Sequence, residues 1–208
     1  AIVMLHLQIL QEEKYLSRAF GEPYLQYKSR VFVISGGAAG NKRSVGGSFM
    51  IITETKRLFL REMVPEDHAA LYAVLADSDI MRHYPYTFDG ARVDNWIKKN
   101  IERCRVFGFG LWAVCLKSTG EMIGDAGAHQ RRGYAKEAAN AVRDWTFENT
   151  PFCEVYSYMK SDNIPSSATA VSIGMSFQSE FTDEQGERTA VYRLDRAKWL
   201  ALTGAAEQ

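Results

Sequence analysis

Gln130-Arg131-Arg132-Gly133-Tyr134-Ala135-Lys136-Glu137-Ala138-Ala139, read onward through residue 148, is the stretch on which the fold turns. Over 134–148 the apolar positions Ala135, Ala138, Ala139, Val142 and Trp145 recur at helical spacing, while Lys136, Asn140, Arg143 and Asp144 occupy the opposite face. A glycine directly before such a helix aims several backbone N–H groups and the helix's positive end at one point, where a phosphate or pyrophosphate can sit. Gly133 also removes a side chain that would keep that ligand away. The same residues equally suit an ordinary basic helix start with a glycine in its turn, so the neighbouring elements have to decide.

Upstream, Arg57-Leu58-Phe59-Leu60-Arg61 alternates like a strand with one buried face. Pro65-Glu66-Asp67 then opens a helix with Leu71, Val74 and Leu75 as its stripe, since proline suits the first helical position and acids suit the positive dipole end. A second amphipathic helix follows Asp89-Gly90, with Val93, Trp96, Ile97 and Ile101 on one side. Residues 110–116 and 121–125 form a hairpin across Lys117-Ser118-Thr119-Gly120. Downstream come a strand over 154–159, a short helix over 167–173 ended by Gly174, and strands over 177–182 and 189–194 flanking a polar turn. Strands alternating with helices predict an α/β chain built on a mixed sheet.

With these elements in order, the chain from about residue 55 to 200 resembles the GNAT N-acetyltransferase superfamily. The nearest branch is that of enzymes acetylating ribosomal-protein N-termini. Beyond the Gln130–Ala135 hexapeptide and Lys136-Glu137-Ala138-Ala139, three further landmarks carry the resemblance: the first strand Arg57–Arg61, the hairpin end Ile123-Gly124-Asp125, and Asn163-Ile164-Pro165-Ser166. Gly174-Met175-Ser176-Phe177 stands where the family has a Gly-Met or Gly-Phe after its last helix. The resemblance implies a GNAT acyl-CoA fold with acetyl-CoA as cosubstrate, its pyrophosphate held by Gln130, Arg131, Arg132, Gly133, Tyr134, Ala135 and Lys136. It further implies that Asn163 hydrogen-bonds the pantetheine arm and that Ser166 lies near the thioester sulfur. Taken by themselves, Asn163 to Ser166 are also a turn and helix N-cap.

The chain departs from the family between Gly127 and Gln130. There the family has a loop, a fourth sheet strand often bearing a Glu base, and a connection into the pyrophosphate turn. Here only Ala128 and His129 stand between them. One central strand is therefore expected to be missing, and the general base is left unassigned; His129 is a candidate, though a lone turn histidine is ordinarily just solvated. The short run Arg30-Val31-Phe32-Val33-Ile34 favours a strand and could pair with an edge so exposed.

Residues 1–34 resemble something else. Glu12-Glu13, Leu16, Phe20-Gly21, Tyr24, Tyr27 and Val31 follow the end of the isoprenylcysteine carboxyl methyltransferase and phospholipid methyltransferase family. A Gly-rich linker over 35–52 joins this extension to an acetyltransferase domain over 53–202, with a tail over 203–208.

Composition narrows the partners. Twenty-five basic residues balance twenty-five acidic ones, so no overall field steers the chain to nucleic acid. The opening apolar run, residues 1–10, is too short to span a bilayer and lacks the basic flank of a signal peptide. Three widely spaced cysteines, Cys104, Cys115 and Cys153, fit neither a zinc site nor a disulfide framework, which points to a cytoplasmic protein without a metal. The expected activity is acetyl transfer from acetyl-CoA to a primary amine, either a protein N-terminus or a small molecule. The alternative is a non-catalytic acetyl-CoA-binding or remnant fusion protein. Oligomeric state stays open, a dimer included.

Overall fold

The computed structural model describes residues 43–44, 49–81, 88–125, 133–182 and 186–204. The methyltransferase-like segment, the run Arg30–Ile34, His129, and Gln130 to Arg132 lie outside the described residues.

Among the described residues the strands form two sheets. The first has the order β1 (Arg43–Ser44), β2 (Met50–Glu54), β3 (Leu58–Arg61), β4 (Ala113–Leu116) and β5 (Met122–Asp125). The second has the order β6 (Glu154–Lys160), β8 (Arg188–Asp195), β7 (Ser176–Thr182). Every pairing is antiparallel, with Leu58 opposite Leu116 and Arg61 opposite Ala113 in the first sheet, and Ser157 opposite Tyr192 in the second. β5 and β6 are each the last strand of their own sheet, so the break falls between them.

The helices are α1 (His68–Leu75), entered through a 3-10 turn at Pro65–Asp67, then α2 (Ser78–Met81), α3 (Gly90–Phe107), α4 (Tyr134–Asn149), α5 (Ile164–Ser172) and α6 (Arg196–Thr203). Asp89 starts α3 by accepting the Arg92 N–H at 2.8 Å, and Gly108 stops it at φ 77°, where only glycine is unstrained.

Two hydrophobic cores result. The first gathers Leu58, Leu60, Leu71, Val93, Ile97, Trp112 and Cys115 between the five-stranded sheet and the helices α1 and α3. The second gathers Phe147, Val155, Met159, Ala170, Ile173, Leu194 and Trp199 on the three-stranded sheet. α4 belongs to both: Ala138 and Ala141 enter the first core, Ala139 and Phe147 the second. Small residues on two faces let one helix lie close to both units, and it is the element that joins them.

The structure departs from the sequence reading at several places, among them β1, inside the expected 35–52 linker, and α2, which the sequence reading did not contain. β2 was not expected, because its Met50-Ile51-Ile52-Thr53 follows glycine-dominated chain that reads as a linker. α5 begins at Ile164 rather than 167: Asn163 caps it, and Pro165 falls in the first turn, where a missing N–H costs nothing. α6 was also not expected, although Asp195 accepts the Lys198 N–H at 2.8 Å and Gly204 closes it at φ 66°. The hairpin's first strand begins at Ala113 instead of 110. No helix among the described residues is long and apolar enough to cross a membrane, and none of their His, Cys, Asp and Glu side chains cluster as metal ligands.

Candidate active site

The turn before α4 is built by its glycine. Gly133 is the N-cap of α4 at φ 72° and ψ 13°, in the left-handed region. Among the described residues a Cβ there would meet only Arg57 Nη2, at 3.7 Å, which is ordinary contact. Backbone conformation, more than crowding, therefore demands glycine here. The Glu137 N–H is the first to bond back, reaching the Gly133 carbonyl at 3.2 Å, so helix geometry leaves the amides of Tyr134, Ala135 and Lys136 without intrahelical acceptors. Gly133 and Lys136 are exposed, while Tyr134 and Ala135 are half-buried.

Around this turn lies a polar cluster that the sequence did not single out. The Glu137 carboxylate accepts from Thr55 Oγ1 at 2.5 Å, from the Arg57 N–H at 2.9 Å and from Arg57 Nε at 2.6 Å. Burial works against its charge, but these hydrogen bonds outweigh it and hold the carboxyl below the usual range. The Arg57 guanidinium also lies 4.5 Å from the centre of the Tyr134 ring. Nothing in the local pattern marks Arg57 as anything but a polar strand end; a glutamate one turn after a helix-opening glycine was the available signal.

At the start of α5, Asn163 and Ser166 are both buried, and Asn163 Oδ1 accepts the Ser166 N–H at 3.3 Å. The N-cap reading of this tetrapeptide is thus seen directly. Ser166 is 2% exposed, yet its Oγ has no hydrogen-bond partner among the described residues. On β6, Ser157 Oγ is likewise fully buried and unpartnered among the described residues. Buried hydroxyls normally find partners, so two orphans beside each other's elements call for an explanation. α4 and α5 pack over the same core, through Ala139 and Ala170.

Asp125 closes β5 at the break between the sheets, where Trp96 Nε1 donates to its Oδ2 at 3.0 Å. Burial raises its carboxyl to about 6 despite the Trp96 hydrogen bond. The register pairs Asp125 with Ala113, and Ala113 with Arg61. Asp125 therefore lies at the end of this sheet opposite Arg57 and Gly133.

Comparison with known proteins gives these groups a common context. The profile described as "Acetyltransferase (GNAT) domain" matches residues 57–132 and 126–176, more than half of the chain. YkkB of Bacillus subtilis is 29% identical over 144 residues, covering 59% of this chain and 84% of its own. The N-acetyltransferase YnaD of the same organism is 27% identical over 139 residues, covering 58% and 80%. Among solved structures, an acetyltransferase of the GNAT family from Bacillus anthracis superposes with a TM-score of 0.61 at 21% identity, over 71% of this chain and 98% of that one.

Proposed function

The chain belongs to the GNAT acetyltransferase family, whose chemistry is acetyl transfer to an amine, and from that premise we propose that it takes acetyl-CoA and acetylates a primary amine of a protein N-terminus or a small molecule. The observation that carries the site assignment is Gly133, left-handed at the head of a 16-residue helix within the matched region. The residues fit the cosubstrate. Backbone donors without helical acceptors gather at Tyr134, Ala135 and Lys136, an orphaned Ser166 hydroxyl waits beside Asn163, and Gln130, Arg131 and Arg132 precede the turn in sequence.

When bound, acetyl-CoA supplies an acetyl group already activated as a thioester. The amides opening α4 and the Gly133 backbone hold the diphosphate, which replaces the acceptors those donors lack. Asn163 orients the arm. Ser166 keeps a proton on Oγ beside the departing sulfur, in a site dry enough for one hydroxyl to matter. An amine of reference pKa near 8 at an N-terminus or near 10.4 on a lysine must also lose a proton before it attacks, so a base or water chain is needed.

The family's fourth strand, expected to be lost here, is where that base often stands. Two sheets with no ladder between β5 and β6 among the described residues support this reading. Turnover is accordingly slow, well below the order of 10 per second usual for enzymes. The alternative, a coenzyme-binding protein that does not turn over, rests on the same gap.

Titration calorimetry with acetyl-CoA, run beside S-adenosylmethionine, tests the reading together with thiol release over a panel of N-terminal peptides, polyamines and amino-acid amines. Acetyl-CoA heat with thiol release from one acceptor class supports it. Binding without release from any acceptor selects the non-catalytic alternative, and an S-adenosylmethionine signal alone overturns both.

A further inference from the structure

We infer that Arg57 is a positioning residue for coenzyme binding, clamping Glu137 so that the first turn of α4 keeps Gly133 in its ligand-ready conformation; this rests on the site reading above.

The clamp is unusually complete. Both Glu137 oxygens are engaged: Oε1 by Thr55 Oγ1 at 2.5 Å and the Arg57 backbone N–H at 2.9 Å, Oε2 by Arg57 Nε and Nη2, each at 2.6 Å. An exposed ion pair alone contributes little, but two guanidinium nitrogens on one oxygen, with a backbone donor and a hydroxyl on the other, fix direction as well as charge. Its root is firm. The Leu58 N–H donates to Thr55 Oγ1 at 2.9 Å, and Leu58, fully buried, begins β3 in the first core.

The location argues for function over general anchoring. The body of α4 is already held by burial of Ala138, Ala139, Ala141 and Phe147. Its C-terminal end is held by Arg196, which donates to the Phe147 and Thr150 carbonyls at 2.6 Å each. Burial holds the first turn only in part: Tyr134 packs against the first core and Ala135 is half-buried, while Gly133 and Lys136 are exposed. Glu137 is the residue whose N–H closes that turn on the Gly133 carbonyl, and Arg57 additionally braces Tyr134 from its ring face. The clamp therefore acts on a turn that burial secures less fully than the body of the helix, and that turn is the one assigned above to the ligand.

The test compares the full chain with Arg57→Ala, Glu137→Ala and the double variant, using acetyl-CoA titration and amide hydrogen exchange without ligand. Expected are a Kd for acetyl-CoA raised about tenfold in each single variant, and a double variant no weaker than the worse single. Exchange should quicken at positions 137 and 138 but not at 141 and 142. Where turnover is measurable, KM for acetyl-CoA rises while kcat at saturation and KM for the amine stay put, a split that general loss of stability would not produce. Glu137→Gln carries the same test if Glu137→Ala does not fold. Wild-type affinity in both folded variants, or effects that multiply in the double, overturns the inference and leaves the site reading intact. No binding by the wild type overturns the site reading and the inference with it.

Discussion

Among the described residues the two sheets differ in what they bury: the first holds a matched ion pair beside one orphaned group, Trp112 Nε1, and the second holds two orphaned hydroxyls. Beside the five-stranded sheet, Arg61 and Asp67 are buried and fully matched, with Nη1 to Oδ2 at 2.7 Å, Nη2 to Oδ1 at 2.6 Å, and the Val64 N–H donating to Oδ2 at 2.9 Å. Beside the three-stranded sheet, the hydroxyls of Ser157 and Ser166 are as deeply buried and have no partner among the described residues. A satisfied buried pair fixes a structure, whereas an unsatisfied group holds capacity in reserve for something else. Under the proposed function the two hydroxyls lie on the ligand's side of the molecule and the ion pair on the other, with α4 lying across the join.

The sharpest way to break that contrast is to spoil the satisfied pair. Arg61→Ala or Asp67→Ala leaves one buried charge alone, and the expected loss is about 3–5 kcal/mol of unfolding free energy by urea titration. The variant Arg61→Met with Asp67→Leu should recover most of it, since apolar replacements remove both desolvation costs. If either single change costs under about 1 kcal/mol, the pair is not the structural fixture described here.

Gly133→Asp probes the other side of the join. It puts bulk and negative charge where phosphate should sit and forces a non-glycine residue to φ 72°. Acetyl-CoA affinity is expected to fall well over tenfold, or about 1.4 kcal/mol, by calorimetry on folded protein. Unchanged affinity removes the phosphate assignment from this turn.

These experiments also separate what residue patterns can reveal from what they cannot. The α4 stripe, the Arg57–Arg61 strand and the 121–125 hairpin arm were readable because each follows a local period set by burial. β2 was hidden, since Met50-Ile51-Ile52 does not alternate apolar with polar and follows glycine-rich chain that reads as a linker. The Gly133 turn was found as a motif, but its neighbour Arg57 was not: the two are far apart in sequence, and only the docking of β3 against α4 brings them together. Orphaned hydroxyls are invisible in sequence for the same reason, as a serine's partners are a property of packing. Ser166 was reached through family resemblance, and Ser157 was not reached at all.

Ser166→Ala tests whether the orphan is held for chemistry. Removing an unpartnered buried hydroxyl should leave stability within about 0.5 kcal/mol of wild type or raise it. Thiol release in the presence of a working acceptor should nevertheless fall about tenfold. A loss of stability with no loss of rate would mean that the hydroxyl serves the fold, and the contrast between the sheets would lose one of its two supports.

The smallest effect lies at the break itself. Asp125 ends the five-stranded sheet with its carboxyl raised to about 6 by burial, against an ordinary aspartate near 3.9 in the unfolded chain. The folded state therefore holds the proton more tightly than the unfolded state, and stability must fall as pH rises from about 4 to about 6. Below about 4 both states are protonated and the penalty vanishes; above about 6 both are ionised and it is present in full. Asp125→Asn removes the titration while keeping an oxygen to accept the Trp96 N–H, now 3.0 Å from Oδ2. Because the side chain is only partly shielded from solvent, the gain at pH 7 should be on the order of 1 kcal/mol, less than the full shift would give. All other groups titrate alike in the two proteins, so the difference between their urea-derived stabilities isolates this carboxyl. That difference should be near zero at pH 3.5 and rise to its plateau by about pH 7. A difference constant over this range would show that Asp125 titrates normally, and that the end of the first sheet is wetter than its packing against Trp96 implies.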